Sequence, residues 1–317
     1  MDNPYLLIVV SSLFLCGMSA FRKEYQRRVD ATLKSTVLFM LISSLFVVLV
    51  GVVYCLITDF SIIYRLDGVV FTLAATFAFI LTVNTCLCIF AAKYGSLAIV
   101  STFATLGTLV ISTFYGLLSD PVRNRLNAFN ILGLVIAVVI IALSFLQACK
   151  SDSDDSTGIE GRNNKKFLIF CIAIFLFNGS ALSVYSMFTA HQAEYGGLNF
   201  IFLYLFLCVV LCGLILGAIT LFTKKKNAEQ TVERENKSFD FKPVFCALGY
   251  GVVFIISEFC AITTTSLLPI VIQAPLSFAI SVITVAIVDY LIYKQKLTKI
   301  QFIQMGLAIV CAVCFAL

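Results

Sequence analysis

Tryptophan is absent from these 317 residues, histidine occurs once, and only 12% of the residues are charged. A soluble domain carries roughly 25% charged residues, so this chain cannot clothe itself in water. A single histidine, His191, cannot build a metal site, and no HExxH pair or P-loop is present. No cofactor and no metal are therefore expected. Without tryptophan, any aromatic cage for a ligand must use Phe or Tyr. Strand-like alternation is missing too, which excludes a transmembrane barrel.

What is there is apolar sequence. Hydrophobic residues make up 61% of the chain, and the mean hydropathy is +1.03. Ten apolar runs are each long enough to cross ~30 Å of hydrocarbon, which takes ~20 residues as a helix. They lie at 4–21, 35–58, 68–92, 97–118, 128–148, 167–188, 200–223, 243–264, 267–293 and 300–317. Lipid satisfies no backbone N–H or C=O, so the runs are helices. The chain reads as an all-α polytopic membrane protein. The first run has neither a basic flank before it nor a clear cleavage site after it, and reads as a retained helix.

Hydrophilic segments are few. Residues 150–166 form a charged, Ser/Asp/Gly-rich linker between five runs and five more, and 224–242 form a second charged loop. The expected organisation is a first five-helix unit over 1–149, the linker, and a second unit over 167–317.

Of the 22 Lys and Arg, all but Arg65, Arg123 and Arg125 fall in odd-numbered loops. Basic loops stay in the cytoplasm, which puts both termini outside. The net charge of +5 reflects this asymmetry and does not indicate nucleic-acid binding. Compact loops and the unprocessed start suit a multi-pass protein of a bacterial plasma membrane.

The two halves resemble each other. A shift of about 170 residues lays Ser96-Leu97-Ala98-Ile99-Val100 over Ser266-Leu267-Leu268-Pro269-Ile270, and Ala104 over Ala274. After small gaps, Gly133-Leu134-Val135-Ile136 meets Gly306-Leu307-Ala308-Ile309, and Arg125-Leu126-Asn127 meets Lys296-Leu297-Thr298. The matching runs hold the same rank in each half. Five is odd, so the second unit enters the membrane from the opposite side and the repeat is inverted. Inverted repeats around a midplane site are the architecture of secondary transporters.

Tyr293-Lys294-Gln295-Lys296-Leu297-Thr298, the short Gly306-containing last run, and Tyr94-Gly95-Ser96-Leu97-Ala98 between the third and fourth runs resemble the drug/metabolite transporter superfamily, EamA-type. The resemblance spans essentially the whole chain. It implies ten helices around a central cavity that moves a small metabolite. Family members with ten helices usually keep both termini in the cytoplasm, opposite to the charge count. The Gly-Ala-Leu-Asn-Lys signature of the nucleotide-sugar branch is missing.

Polar residues inside the runs are the candidate site. Glu258 lies well inside the eighth run, and a carboxylate there is costly unless paired, solvated or protonated. Gly251, Glu258 and Thr265 are spaced by seven and so share a helical face. Asn178 and Tyr185 do the same on the sixth run; Asn84 and Gln273 add amides on the third and ninth. Pro275, just after Gln273, removes a backbone donor. For Asn84, Asn178, Tyr185 and Gln273 the alternative to lining a ligand is an interhelical hydrogen bond.

No cation is expected deep in the membrane. Lys93 sits at the end of its run and Asp289 is interfacial. One acid against no deep base favours a neutral or cationic cargo. All 12 cysteines lie in or at the ends of apolar runs, including Cys86-x-Cys88 and Cys311-x-x-Cys314, and read as small hydrophobes. Gly213-x-x-x-Gly217 is a close-packing signal, within the chain or in a homodimer.

The expected function is secondary active or facilitative transport of a small neutral or cationic metabolite by alternating access. Proton coupling through Glu258 would make the chain an antiporter. The partners are then a small-molecule substrate and the lipid bilayer. Three alternatives stay open: a membrane-embedded enzyme, a non-transporting scaffold or sensor, and an exchanger of phosphorylated metabolites or nucleotide sugars.

Overall fold

Asn3 stops the chain from fraying at its start. Its side-chain oxygen accepts from the backbone N–H of Tyr5 and Leu6, and Pro4 fills a first-turn position where no N–H is needed. From there the computed structural model is helical, and it describes residues 3–29, 32–58, 67–94, 97–154, 164–191, 193–227, 241–291 and 299–316. Among these residues ten α-helices follow one another: α1 (Pro4–Arg28), α2 (Leu33–Thr58), α3 (Gly68–Tyr94), α4 (Leu97–Ser119), α5 (Ala128–Asp154), α6 (Asn164–His191), α7 (Gly197–Asn227), α8 (Lys242–Leu267), α9 (Ile270–Leu291) and α10 (Lys299–Ala316). Each apolar run corresponds to one of them.

Over the described residues six helices are long and apolar enough to cross a membrane: α1, α2, α3, α6, α7 and α8. The apolar stretches of the other four are shorter over the described side chains, as in Ile270–Thr284 of α9. Large apolar side chains nevertheless face outward on all ten, such as Phe114 on α4, Val135 on α5, Ile287 on α9 and Phe302 on α10. A water-facing bundle would not leave such a surface bare.

Packing divides the bundle into two lobes. One buried cluster joins α1, α2, α3, α6, α7 and α8 through residues such as Phe39, Ala74, Phe188, Phe200, Tyr204 and Ala247. A second joins α4, α5, α9 and α10, with Ile8 of α1, through Leu109, Ile140, Ala279 and Cys311. The principal helix pairs are α1 with α8 and α9, α6 with α3 and α4, α2 with α7 and α8, α3 with α7, α5 with α10, and α9 with α4 and α10.

Local chemistry explains the turns. Gly196, at φ +84°, takes a left-handed conformation between a single turn at Ala193–Tyr195 and α7, which a side chain would strain. At the far end of α8, the exposed Arg123 reaches from the α4–α5 loop and donates to the Ser266 carbonyl at 3.0 Å. A guanidinium near a helix C-terminus answers carbonyls that have no intrahelical partner. Arg123→Ala is therefore expected to cost about 0.5–1 kcal/mol. Melting of the detergent-purified protein measures it, and an unchanged midpoint would contradict this capping role.

The linker is helical at both ends, which the sequence does not suggest. α5 continues to Asp154 and α6 begins at Asn164, so helix intrudes into 150–166 from both sides. Glycines 95, 158 and 161, the 228–240 segment and the 293–298 motif lie outside the described residues. An added methyl at Gly213 or Gly217 would meet nothing within 4 Å among the described residues, so those residues make no close helix crossing there.

Candidate functional site

A cavity of about 430 Å³ lies between the two lobes, walled by α1, α3, α4, α6, α8 and α9. On α8 its wall is the stripe Tyr250, Phe254, Ser257, Ala261 and Thr264, spaced three or four residues apart. Glu258 stands at the border of that stripe, turned about 80° from Tyr250 on a helical wheel. There it receives a hydrogen bond from the Tyr185 hydroxyl of α6. Tyr185 is 3.2 Å from the hydroxyl of Tyr204 on α7, and its ring stacks on Phe77 of α3 at 4.5 Å. The acid thus closes a chain of two buried phenols held by an aromatic wall.

Five of the expected residues meet at this cavity: Glu258, Tyr185, Asn178, Asn84 and Gln273. Asn178 is the most committed to packing. Its amide nitrogen donates to the Ala104 carbonyl (2.9 Å) and Thr108 Oγ1 (2.8 Å), while its oxygen accepts from Asn84 Nδ2 (3.1 Å). One side chain therefore ties α3, α4 and α6 together. Asn178→Leu is expected to cost about 1–2 kcal/mol, since each interhelical bond in a membrane is worth about 0.6 kcal/mol. Unaltered thermal stability would refute the tie. Gln273 differs: Nε2 donates to the Ala261 carbonyl (3.1 Å), but its buried Oε1 has no partner among the described residues.

Gly251 and Thr265 do not line the cavity. Gly251 faces α2, where an added methyl would press on the Ser43 carbonyl and Val47. It lets α2 and α8 approach and makes no room beside the acid. Thr265 is buried and returns its hydroxyl to the Ala261 carbonyl. The reason is angular. The cavity stripe centres on Tyr250, Ser257 and Thr264, whereas the 251–258–265 row runs along its edge. Only the long Glu258 side chain reaches from that row to α6.

A further correction concerns charge. Arg22, read from sequence as a loop residue, lies inside α1 because the helix runs on to Arg28. It lines the same cavity, donates from Nη2 to the Tyr250 hydroxyl at 3.2 Å, and sits 5.7 Å from that ring's centre. So the cavity holds a base as well as an acid. Arg22 directly follows an apolar run, and the helix carries on past it to Arg28. Ser11 and Ser257 were also passed over. They exchange hydrogen bonds across α1 and α8 at 3.2 Å and fix the register of those helices. The side chains of Lys93, Asp289 and Tyr290 lie outside the described residues, and His191 is exposed.

No protein-family profile matches the chain, and no curated protein matches it either. Solved structures do match. One, described only as the crystal structure of a protein, superposes with a TM-score of 0.68 at 16% identity. The alignment covers 99% of this chain and 96% of that one. At that identity the likeness shows a shared fold over the full length.

Proposed function

We propose that the chain is a ten-span membrane carrier that moves a small polar solute by alternating access, with Glu258 exchanging a proton for the solute. The observation that carries this reading is a cavity with a cluster of polar side chains, walled by helices whose packing pattern repeats. Advance every helix by five places: α1–α8 becomes α6–α3, α4–α6 becomes α9–α1, α3–α7 becomes α8–α2, and α9–α10 becomes α4–α5. The pairs α2–α7, α4–α9 and α5–α10 map onto themselves. The cavity walls obey the same rule, as α1, α3 and α4 become α6, α8 and α9.

Such a pattern supports two inverted five-helix repeats, 1–149 and 167–317. Two related halves can trade conformations, and a site between them then opens first to one side and later to the other. Outward apolar side chains on all ten helices favour ten spans, including α10, whose 18 residues rise about 27 Å. The basic odd loops put those loops in the cytoplasm and the termini outside. The fold and the residues quoted above suit an EamA-type drug/metabolite transporter of a bacterial plasma membrane.

Glu258 supplies the coupling. A carboxylate between lobes binds either a proton or a cationic group, and each excludes the other; flux of one then drives flux of the other. Among the described residues, the other titratable and charged groups at or beside the cavity are Tyr185, Tyr204, Tyr250, Cys88 and Arg22. The test is purified protein in liposomes loaded with a pH-sensitive dye, exposed to polar solutes grouped by charge. The expected result is solute-dependent proton movement from at least one cationic or dipolar group. Correctly folded protein that moves none would refute the carrier reading.

A further inference from the structure

We infer that the cavity takes a dipolar solute, with its cationic group at Glu258 and its anionic group at Arg22. This rests on the carrier reading above and narrows its cargo.

The argument starts from register. Ser11 meets Ser257 across α1 and α8, and Phe21 packs where Gly249 has no side chain. The helices are therefore antiparallel, and Arg22 lies one step beyond the Phe21–Gly249 level. Glu258 lies one step beyond the Ser11–Ser257 level, in the opposite direction. The two charges sit towards different ends of one cavity. Arg22 touches Tyr250, and eight residues separate Tyr250 from Glu258, about 12 Å of helix rise.

Among the described residues no ion pair joins the two side chains. Each also lacks a countercharge among the described residues: Arg22 has a phenol from Tyr250 and an unpartnered Nε. Glu258 has a phenol from Tyr185. Unpaired charges inside a bundle are costly, and the cheapest remedy is a ligand that brings the missing partner to each. The guanidinium offers a fork of donors to a carboxylate or phosphate, and the carboxylate accepts from an ammonium.

A solute that carries an ammonium at one end and a carboxylate at the other supplies both missing partners at once.

The probes are 5-aminopentanoate and its two singly charged relatives, 5-aminopentanamide and 4-carbamoylbutanoate. Binding is read as the rise in melting temperature of the detergent-purified protein. The expected result is that 5-aminopentanoate binds at least tenfold more tightly than the other two. Arg22→Gln should weaken it tenfold or more while leaving 5-aminopentanamide unchanged. Glu258→Gln should do so while leaving 4-carbamoylbutanoate unchanged. Arg22→Lys and Glu258→Asp, which keep the charges, should retain part of the affinity. A merely structural role would lower all probes together. That pattern, an amide bound as well as 5-aminopentanoate, or no response to any probe would overturn the inference.

Uptake into liposomes separates this inference from the carrier reading. 5-Aminopentanoate bound through both residues but never taken up would leave the ligand class standing and refute transport. Uptake of a singly charged solute, indifferent to Arg22→Gln, would do the reverse.

Discussion

Glu258→Gln is expected to abolish solute-driven proton movement, lowering it at least a hundredfold, and to flatten the pH dependence of flux. Gln keeps the shape and still accepts a hydrogen bond from Tyr185, so the aromatic wall around it need not repack. What it loses is the exchangeable proton. In the proposed cycle, solute leaves when a proton arrives and binds when the proton departs, so a side chain that cannot titrate uncouples the two. Facilitated flux down a gradient can survive. Dye-loaded liposomes and tracer uptake from the same preparation separate the outcomes. Proton movement equal to wild type would remove Glu258 from the mechanism. Tyr185→Phe gives a milder test, because it deletes the hydroxyl that joins the acid to Tyr204.

Gly107→Ala and Gly179→Ala are each expected to destabilise the protein by roughly 3 kcal/mol, at the upper end of overpacking changes. These glycines bring α4 and α6 into backbone contact. A methyl at Gly107 would overlap the Phe175 carbonyl, and one at Gly179 would overlap the Gly107 carbonyl. Neither obstacle is the end of a flexible side chain, so the helices themselves must part. Separation also pulls at Ser112, which donates to the Gly179 carbonyl at 3.1 Å, and at the Asn178 tie beside it. The melting temperature should fall by roughly 6–12 °C. Gly213→Ala is the control, since open space surrounds it, and its melting should hold or rise slightly. Equal effects at Gly107 and Gly213 would refute the close crossing.

The positions of the ten helices were legible because a long apolar run carries its own boundaries. Glu258 and Tyr185 were legible because a polar group inside such a run must be answered by another. Which neighbour answers was less so. Seven residues at 100° each leave a row about 20° short of closure, and the cavity stripe on α8 runs through Tyr250, Ser257 and Thr264. Gly251 and Thr265 share the row of Glu258 but not its reach. Arg22 was hidden by a different ambiguity. A basic residue after an apolar run looks the same whether the helix stops there or continues, and α1 continues to Arg28. Asn178 marks a third limit, because a saturated packing amide and a ligand-binding amide share one identity. Only its partners, Ala104, Thr108 and Asn84, distinguish the two.

Alternating access itself is tested most directly by counterflow. Liposomes are preloaded with unlabelled solute, chosen as the one giving the largest proton signal, and diluted into a trace of the labelled form. A carrier whose single cavity faces one side at a time returns loaded with label and accumulates it transiently above equilibrium. The expected trace is an overshoot that decays, and it should vanish without preloaded solute. A monotonic approach to equilibrium, indifferent to the preload, would show a pathway open to both sides at once and contradict the account.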